Sequence, residues 1–198
     1  LAVGATAGRV AAAGRSFSPV VETEHGQIRG FLRNGVHAFR GVPYGQTTAG
    51  NGRFRPPVAP SGWTGVLDTL GWGASAPQGH STHDRSISNN VYKLAEGDVS
   101  LQSFESEDCL TLNVWTPSTN DDGRRPVMLW LHGGGFWSGT ASTAVHDGEA
   151  LSRFGDVVVV SCNHRLNVLG FTQIDAPGFE GSGNAGMLDI LLALKWIQ

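Results

Sequence analysis

The sequence predicts an α/β fold in which an antiparallel β meander leads into a central mixed sheet. Three observations predict it. Two near-continuous apolar runs, RPVMLWLHGG from Arg125 and DVVVVSCNHRL from Asp156, read as strands buried on both faces by helices. Helical patterns lie between these runs and after the second. Upstream, short segments of alternating polarity are broken by turn residues.

Residues 1–19 open with LAVGATAGRVAAAG, which is small and apolar and has no acidic group. They read as a flexible N-terminal segment or a signal remnant, so a secreted or periplasmic protein and a cytoplasmic one both fit. From Val20 to Phe39 the pattern alternates, with Gly26 and the Asn34-Gly35 pair as punctuation. Asn-Gly between such runs signals a hairpin. Gly45 to Gly79 is rich in Gly, Pro and Trp and reads as ordered loop. Gly79 to Phe104 is largely polar and aperiodic, and reads as a longer loop. CLTLNVWTP is the next strand, stopped by Pro117. TAVHDGEALSRFG reads as a short helix ending at Gly155. NAGMLDILLALKWIQ, apolar at Met187, Leu188, Leu191, Leu192, Leu194 and Ile197, reads as a helix buried on most faces, with Asn184 as its N-terminal cap.

Composition narrows the function classes. The chain has 198 residues, 40% hydrophobic and 16% charged, enough to bury a core. A formal charge of -3 gives no electrostatic reason to expect nucleic acid. No run of 18 apolar residues suggests a membrane span. Cys109 and Cys162 have no metal-ligand spacing and read as two buried free thiols, with a bridge between them as the alternative.

The chemistry-bearing stretch is LWLHGGGFWSG, Leu129 to Gly139. Without Cβ atoms, a glycine backbone can turn sharply and let a ligand approach its N–H groups. Two such groups aimed at one point hold an oxyanion, and HGGG after a strand is the form this takes in lipases and esterases. On the tripeptide alone a plain glycine-rich turn stays open. A phosphate loop is weaker, because no helix is expected directly after Gly135.

The surrounding segments resemble the type-B carboxylesterase and cholinesterase family. They are FRGVPYG, GRFRPP at 52–57, SEDCLTLNVWTP at 106–117, WLHGGGFWSG, HDG at 146–148, NHRLNVLGF at 163–171 and NAGMLDILLALKWIQ, in one order. The resemblance implies an α/β-hydrolase fold over residues 20–198, as the N-terminal portion of a single domain completed by residues outside this chain. That remainder of the hydrolase is expected either on the same polypeptide or on a separate chain. The resemblance also implies a serine hydrolase of small-molecule carboxylic esters, needing no cofactor and no metal. Gly134 and Gly135 would donate the oxyanion N–H groups and Gly133 would serve the turn. His132 would orient the loop. Phe136 and Trp137, with the 79–104 loop, would wall the substrate site; a core aromatic is the equal alternative for Trp137.

The nucleophile elbow G-x-S-x-G is absent. Ser182 lies in G-S-G, and Ser138 has the wrong glycine spacing. All seven histidines precede the place of the base in the order Ser…Asp/Glu…His. Other positions depart from the family pattern. Ala76 stands where many members have the cysteine that pairs with the one at Cys109. No tryptophan precedes SEDC to hold a choline group; Phe104 is the nearest aromatic. His164 replaces a tyrosine and Ile190 a glutamine, both read as packing changes. Arg53 and Glu107 match two positions that pair as a bidentate ion bridge. A non-catalytic cholinesterase-like binding or adhesion domain is the alternative function, and the intact glycine run favours the enzyme. An amidase or lactonase on the same fold is not separated by these residues.

Overall fold

The computed structural model describes residues 16–78, 104–121 and 123–198. The expected 79–104 loop falls outside the described residues except for Phe104 at its end. Three antiparallel strands open the fold: β1 (Ser16–Thr23), β2 (Gly26–Arg33) and β3 (Val36–Pro43). β1 begins inside the segment read from sequence as the N-terminal tail. Between β2 and β3, Asn34 (φ 51°) and Gly35 (φ 80°) both take positive φ, the type I′ geometry that Asn-Gly favours. The following Gly- and Pro-rich stretch is mostly irregular, as expected. It also contains a 3-10 turn at Gly50–Gly52 and the short β4 (Val66–Asp68), which pairs parallel with β2.

β5 (Thr111–Thr116), β6 (Val127–Leu131) and β7 (Val158–Cys162) complete one sheet, in the order β1-β2-β3-β5-β7-β6. β5 runs antiparallel to β3 and β7, and β6 runs parallel to β7. The sheet is therefore mixed, reached through an antiparallel meander. Side chains at Phe39, Leu112, Val158 and Val160 pack in one apolar cluster, and those at Ala38, Trp115 and Val159 in another. Neighbouring residues of a strand point to opposite faces, so the two clusters lie on the two sides of the sheet.

Helix α1 (Glu149–Gly155) covers the Trp115 side. A Cβ on Gly148, at its N-terminus, would lie 2.7 Å from Val159 and 2.8 Å from Trp115. α1 ends at Gly155, as expected, and Asp156 after it turns left-handed (φ 50°). Helix α2 (Asn167–Phe171) follows β7 and packs on α3 (Ala185–Ile197), whose Ala193 joins the opposite cluster.

Three expectations fail. β7 is buried, but β6 is an edge strand with Val127, Met128, Trp130 and Leu131 exposed, because nothing among the described residues lies beyond it. α3 buries one face through Ala185, Asp189, Ile190 and Ala193 and leaves Met187, Leu191 and Leu194 exposed. Asn184 occupies the N-cap position, but its side chain makes no capping bond.

What anchors α3 is an ion pair. Arg165, just past β7, is 2% exposed and Asp189 is fully buried. The Arg165 Nε and Nη2 donate to the two carboxylate oxygens at 2.9 and 2.6 Å. The backbone N–H of Arg165 adds a third bond at 2.9 Å.

Candidate active site

β6 and β7 run in parallel, with Leu131 level with Cys162, so the segments that follow both strands leave the sheet at the same end. That end of parallel strands is where α/β sheets place ligands. The residues that follow meet at once. The rings of His132 and His164 stack with centroids 4.9 Å apart and planes 9° from parallel.

The chain then reverses through three residues of positive φ: Gly134 (122°), Gly135 (61°) and Phe136 (61°). The Gly134 carbonyl accepts the N–H groups of Trp137 (3.0 Å) and Ser138 (3.2 Å). A Cβ on Gly134 would sit 1.9 Å from the Ser138 carbonyl oxygen, and one on Gly139 (φ 112°) would sit 2.2 Å from the Gly133 carbonyl oxygen. Gly133 itself has no positive φ, and nothing lies within 4 Å of a Cβ added to it. The turn thus depends on Gly134 and Gly139, not on Gly133 as the motif position suggested. At Gly135 the Cβ direction is open space. Among the described residues, the N–H groups of Gly134 and Gly135 donate to no acceptor.

Phe136 in left-handed conformation stores roughly 1–3 kcal/mol of backbone strain, of a kind that clusters at functional sites. Its carbonyl accepts the Asn167 N–H at 2.8 Å. Its ring meets Phe171 at 5.2 Å and His164 at 6.4 Å. Phe136 is 55% exposed and Trp137 62% exposed, so Trp137 is not a core aromatic in the described residues.

Below the turn, side-chain amides hold the chain, Asn163 buried and Gln78 and Asn167 partly so. The Gln78 side chain accepts the Gly139 N–H (2.8 Å) and donates to the Gly139 carbonyl (2.9 Å). Asn163, fixed at the end of β7, accepts the Ala141 N–H (2.7 Å) and donates to the Ala74 carbonyl (2.9 Å) and Ser142 Oγ (2.8 Å). The Asn167 Nδ2 donates to the Pro77 carbonyl at 2.8 Å. Sequence reading passed over Gln78, Asn163 and Asn167. The available signal, for Asn163 alone, was a polar amide directly beyond an apolar strand, where a buried side chain needs partners.

Burial drives the His132 pKa down to about 4 and lowers that of His164 as well. His132 Nδ1 lies 2.9 Å from the Gly133 carbonyl oxygen, so its ring is part of the loop's hydrogen bonding. Burial likewise pushes both thiols, Cys109 and Cys162, up to about 12; both are free and poor nucleophiles. The Arg53–Glu107 fork forms, with Nε to Oε2 at 2.7 Å and Nη2 bonded to Oε1. Among the described residues no group of three or more His, Cys, Asp or Glu could hold a metal ion, and no helix is long and apolar enough to cross a membrane. Chemically, the arrangement offers open N–H groups on a braced turn, those of Gly134 and Gly135 among them, suited to an oxygen that carries negative charge.

Comparison with known proteins follows the same lines. The profile of the carboxylesterase family matches residues 17–198. The para-nitrobenzyl esterase of Bacillus subtilis (strain 168) is 36% identical over 179 residues, covering 90% of this chain and 34% of that protein. The fumonisin B1 esterase of Sphingopyxis macrogoltabida is 38% identical over 200 residues, 99% of this chain and 34% of its own length. Among solved structures, a carboxylesterase of Geobacillus stearothermophilus superposes with a TM-score of 0.75 at 36% identity, over 90% of this chain and 33% of that one. An esterase of Clostridium hathewayi that can hydrolyze aliphatic aromatic polyesters reaches 0.79, also at 36% identity, over 93% and 36%. The chain spans about a third of the length of the curated relatives it matches.

Proposed function

The chain belongs to the carboxylesterase family, and from that premise we propose that the whole protein hydrolyses carboxylic esters through a serine nucleophile outside residues 1–198. The serine attacks the ester carbonyl. The N–H groups of Gly134 and Gly135, joined by one beside the serine, hold the tetrahedral oxyanion. A histidine backed by an acidic residue takes the serine proton and returns it to the leaving alcohol, and water releases the acid. Phe136 and Trp137 wall the acyl site, and the part of the protein that carries the serine is the partner of this one. The observation that carries this reading is that, among the described residues, the N–H groups of Gly134 and Gly135 are left open on a turn braced at the Gly134 and Phe136 carbonyls and at Gly139.

The test is Gly135→Pro in the full-length protein, assayed on an activated ester. Proline removes the N–H outright and cannot hold the positive φ. kcat/KM is expected to fall by about 10²–10³, the cost of losing one such donor, with little change in Tm. Gly71→Ala is the control, since Gly71 has no positive φ and open space around its Cβ. A loss from Gly135→Pro no larger than from Gly71→Ala would reject the assignment.

A further inference from the structure

The glycine loop is held from two sides by a closed ring of hydrogen bonds. On one side Gln78 bonds both backbone groups of Gly139, as a neighbouring strand would. Gly139 in turn lies directly under the Gly133 carbonyl and the His132 ring, with room for no side chain. On the other side the Asn167 N–H holds the Phe136 carbonyl, the last of the three left-handed positions. The two sides are joined, because the Asn167 side chain donates to Pro77, the residue before Gln78. Gln78 is itself fixed, as its N–H donates to Glu105 Oε2 at 3.0 Å. Asn167 adopts φ 48°, which leaves its N–H and side chain free to face the loop and Pro77 together.

We infer that Gln78 and Asn167 are positioning residues for the oxyanion donors, fixing the Gly134–Gly135 peptide through Gly139 and Phe136. The inference rests on the reading of those two glycines as oxyanion donors. Neither side chain touches the space beside Gly135, where a Cβ would meet nothing. Their effect is therefore on where the N–H groups point. A preorganised donor loses most of its value when displaced, and a shift of about 1 Å can cost about 10²-fold in rate.

The experiment uses the full-length protein with Gln78→Ala and Asn167→Gly. Glycine keeps the positive φ and the N–H to Phe136 and removes the side-chain bonds, the one donated to the Pro77 carbonyl and the long one accepted from the Leu169 N–H. Both variants are expected to lower kcat about 10- to 100-fold with KM changed less than about threefold. They should also weaken binding of a trifluoromethyl ketone, which forms an oxyanion, far more than that of a neutral substrate analogue. Amide hydrogen exchange in the peptide covering 131–139 should speed up in both variants. Wild-type exchange rates in both variants would overturn the clamp, whether or not the protein is an esterase. Faster exchange with unchanged kcat would overturn positioning. A wild-type protein that turns over no ester would instead defeat the oxyanion reading, and with it the catalytic part of this inference.

Discussion

At the scale of single residues, the three glycines of the run are not equivalent. Gly134 is confined by the Ser138 carbonyl and by a φ of 122°, whereas Gly133 has ordinary φ and open space around it. Gly134→Ala is expected to disrupt the turn, cutting kcat/KM of the full-length protein on the proposed ester substrate by at least about 10²-fold, since it forces the backbone off its course. Gly133→Ala should change rate and Tm little. Parallel kinetics and thermal melts of the two variants check this, and a large effect at Gly133 would show the loop to be shaped otherwise. Acid provides a second residue-scale test. The folded state holds His132 neutral down to about 4, whereas an unfolded chain binds a proton near 6.5. Between those values the unfolded state binds more protons, so stability contributed by a neutral His132 is present above 6.5 and lost as pH falls towards 4. NMR titration of the His132 ring should give a midpoint far below 6.5, and a midpoint near 6.5 would contradict its burial.

At the scale of elements, apolar periodicity and turn chemistry made most of the sheet legible. The Asn34-Gly35 hairpin, the stop at Pro117 and the buried β7 all follow from local sequence. Burial of β6 and α3 did not, because an apolar strand reads the same whether it lies inside a sheet or at its edge; topology decides. The glycine run is legible in sequence as a candidate site. Its supports are not, because Gln78 and Gly139 stand 61 positions apart and only the fold brings them together. The same holds for Arg165 and Asp189, 24 apart, which tie the exit of β7 to α3. Removing one partner leaves a buried charge unpaired, and Asp189→Ala should cost about 3–5 kcal/mol. The double change Arg165→Met with Asp189→Leu should cost less than Asp189→Ala alone. Denaturant midpoints of the full-length variants test this, and a double variant weaker than the single one would show that the Arg165 bond to the Arg55 carbonyl matters more than charge pairing.

At the scale of the whole molecule, the exposed side of β6 and the outer face of α3 each present apolar surface. Met128, Trp130, Leu131, Met187, Leu191 and Leu194 are all exposed. Unpaired edge strands of this kind recruit other chains. A polypeptide of residues 1–198 produced by itself should therefore self-associate in sedimentation experiments, and Trp130→Lys with Leu191→Glu should reduce that association without altering the circular dichroism. A monomeric wild-type fragment would show that this surface does not drive association. The sheet order has one more consequence, in the timing of assembly. β6 is made before β7 but its neighbour in the sheet is β7. On a ribosome the strand leading into the glycine turn emerges early and waits, apolar and unpaired, until residues 158–162 have followed it out. The glycine turn is thus synthesised before β7 and Asn167, the parts that seat it.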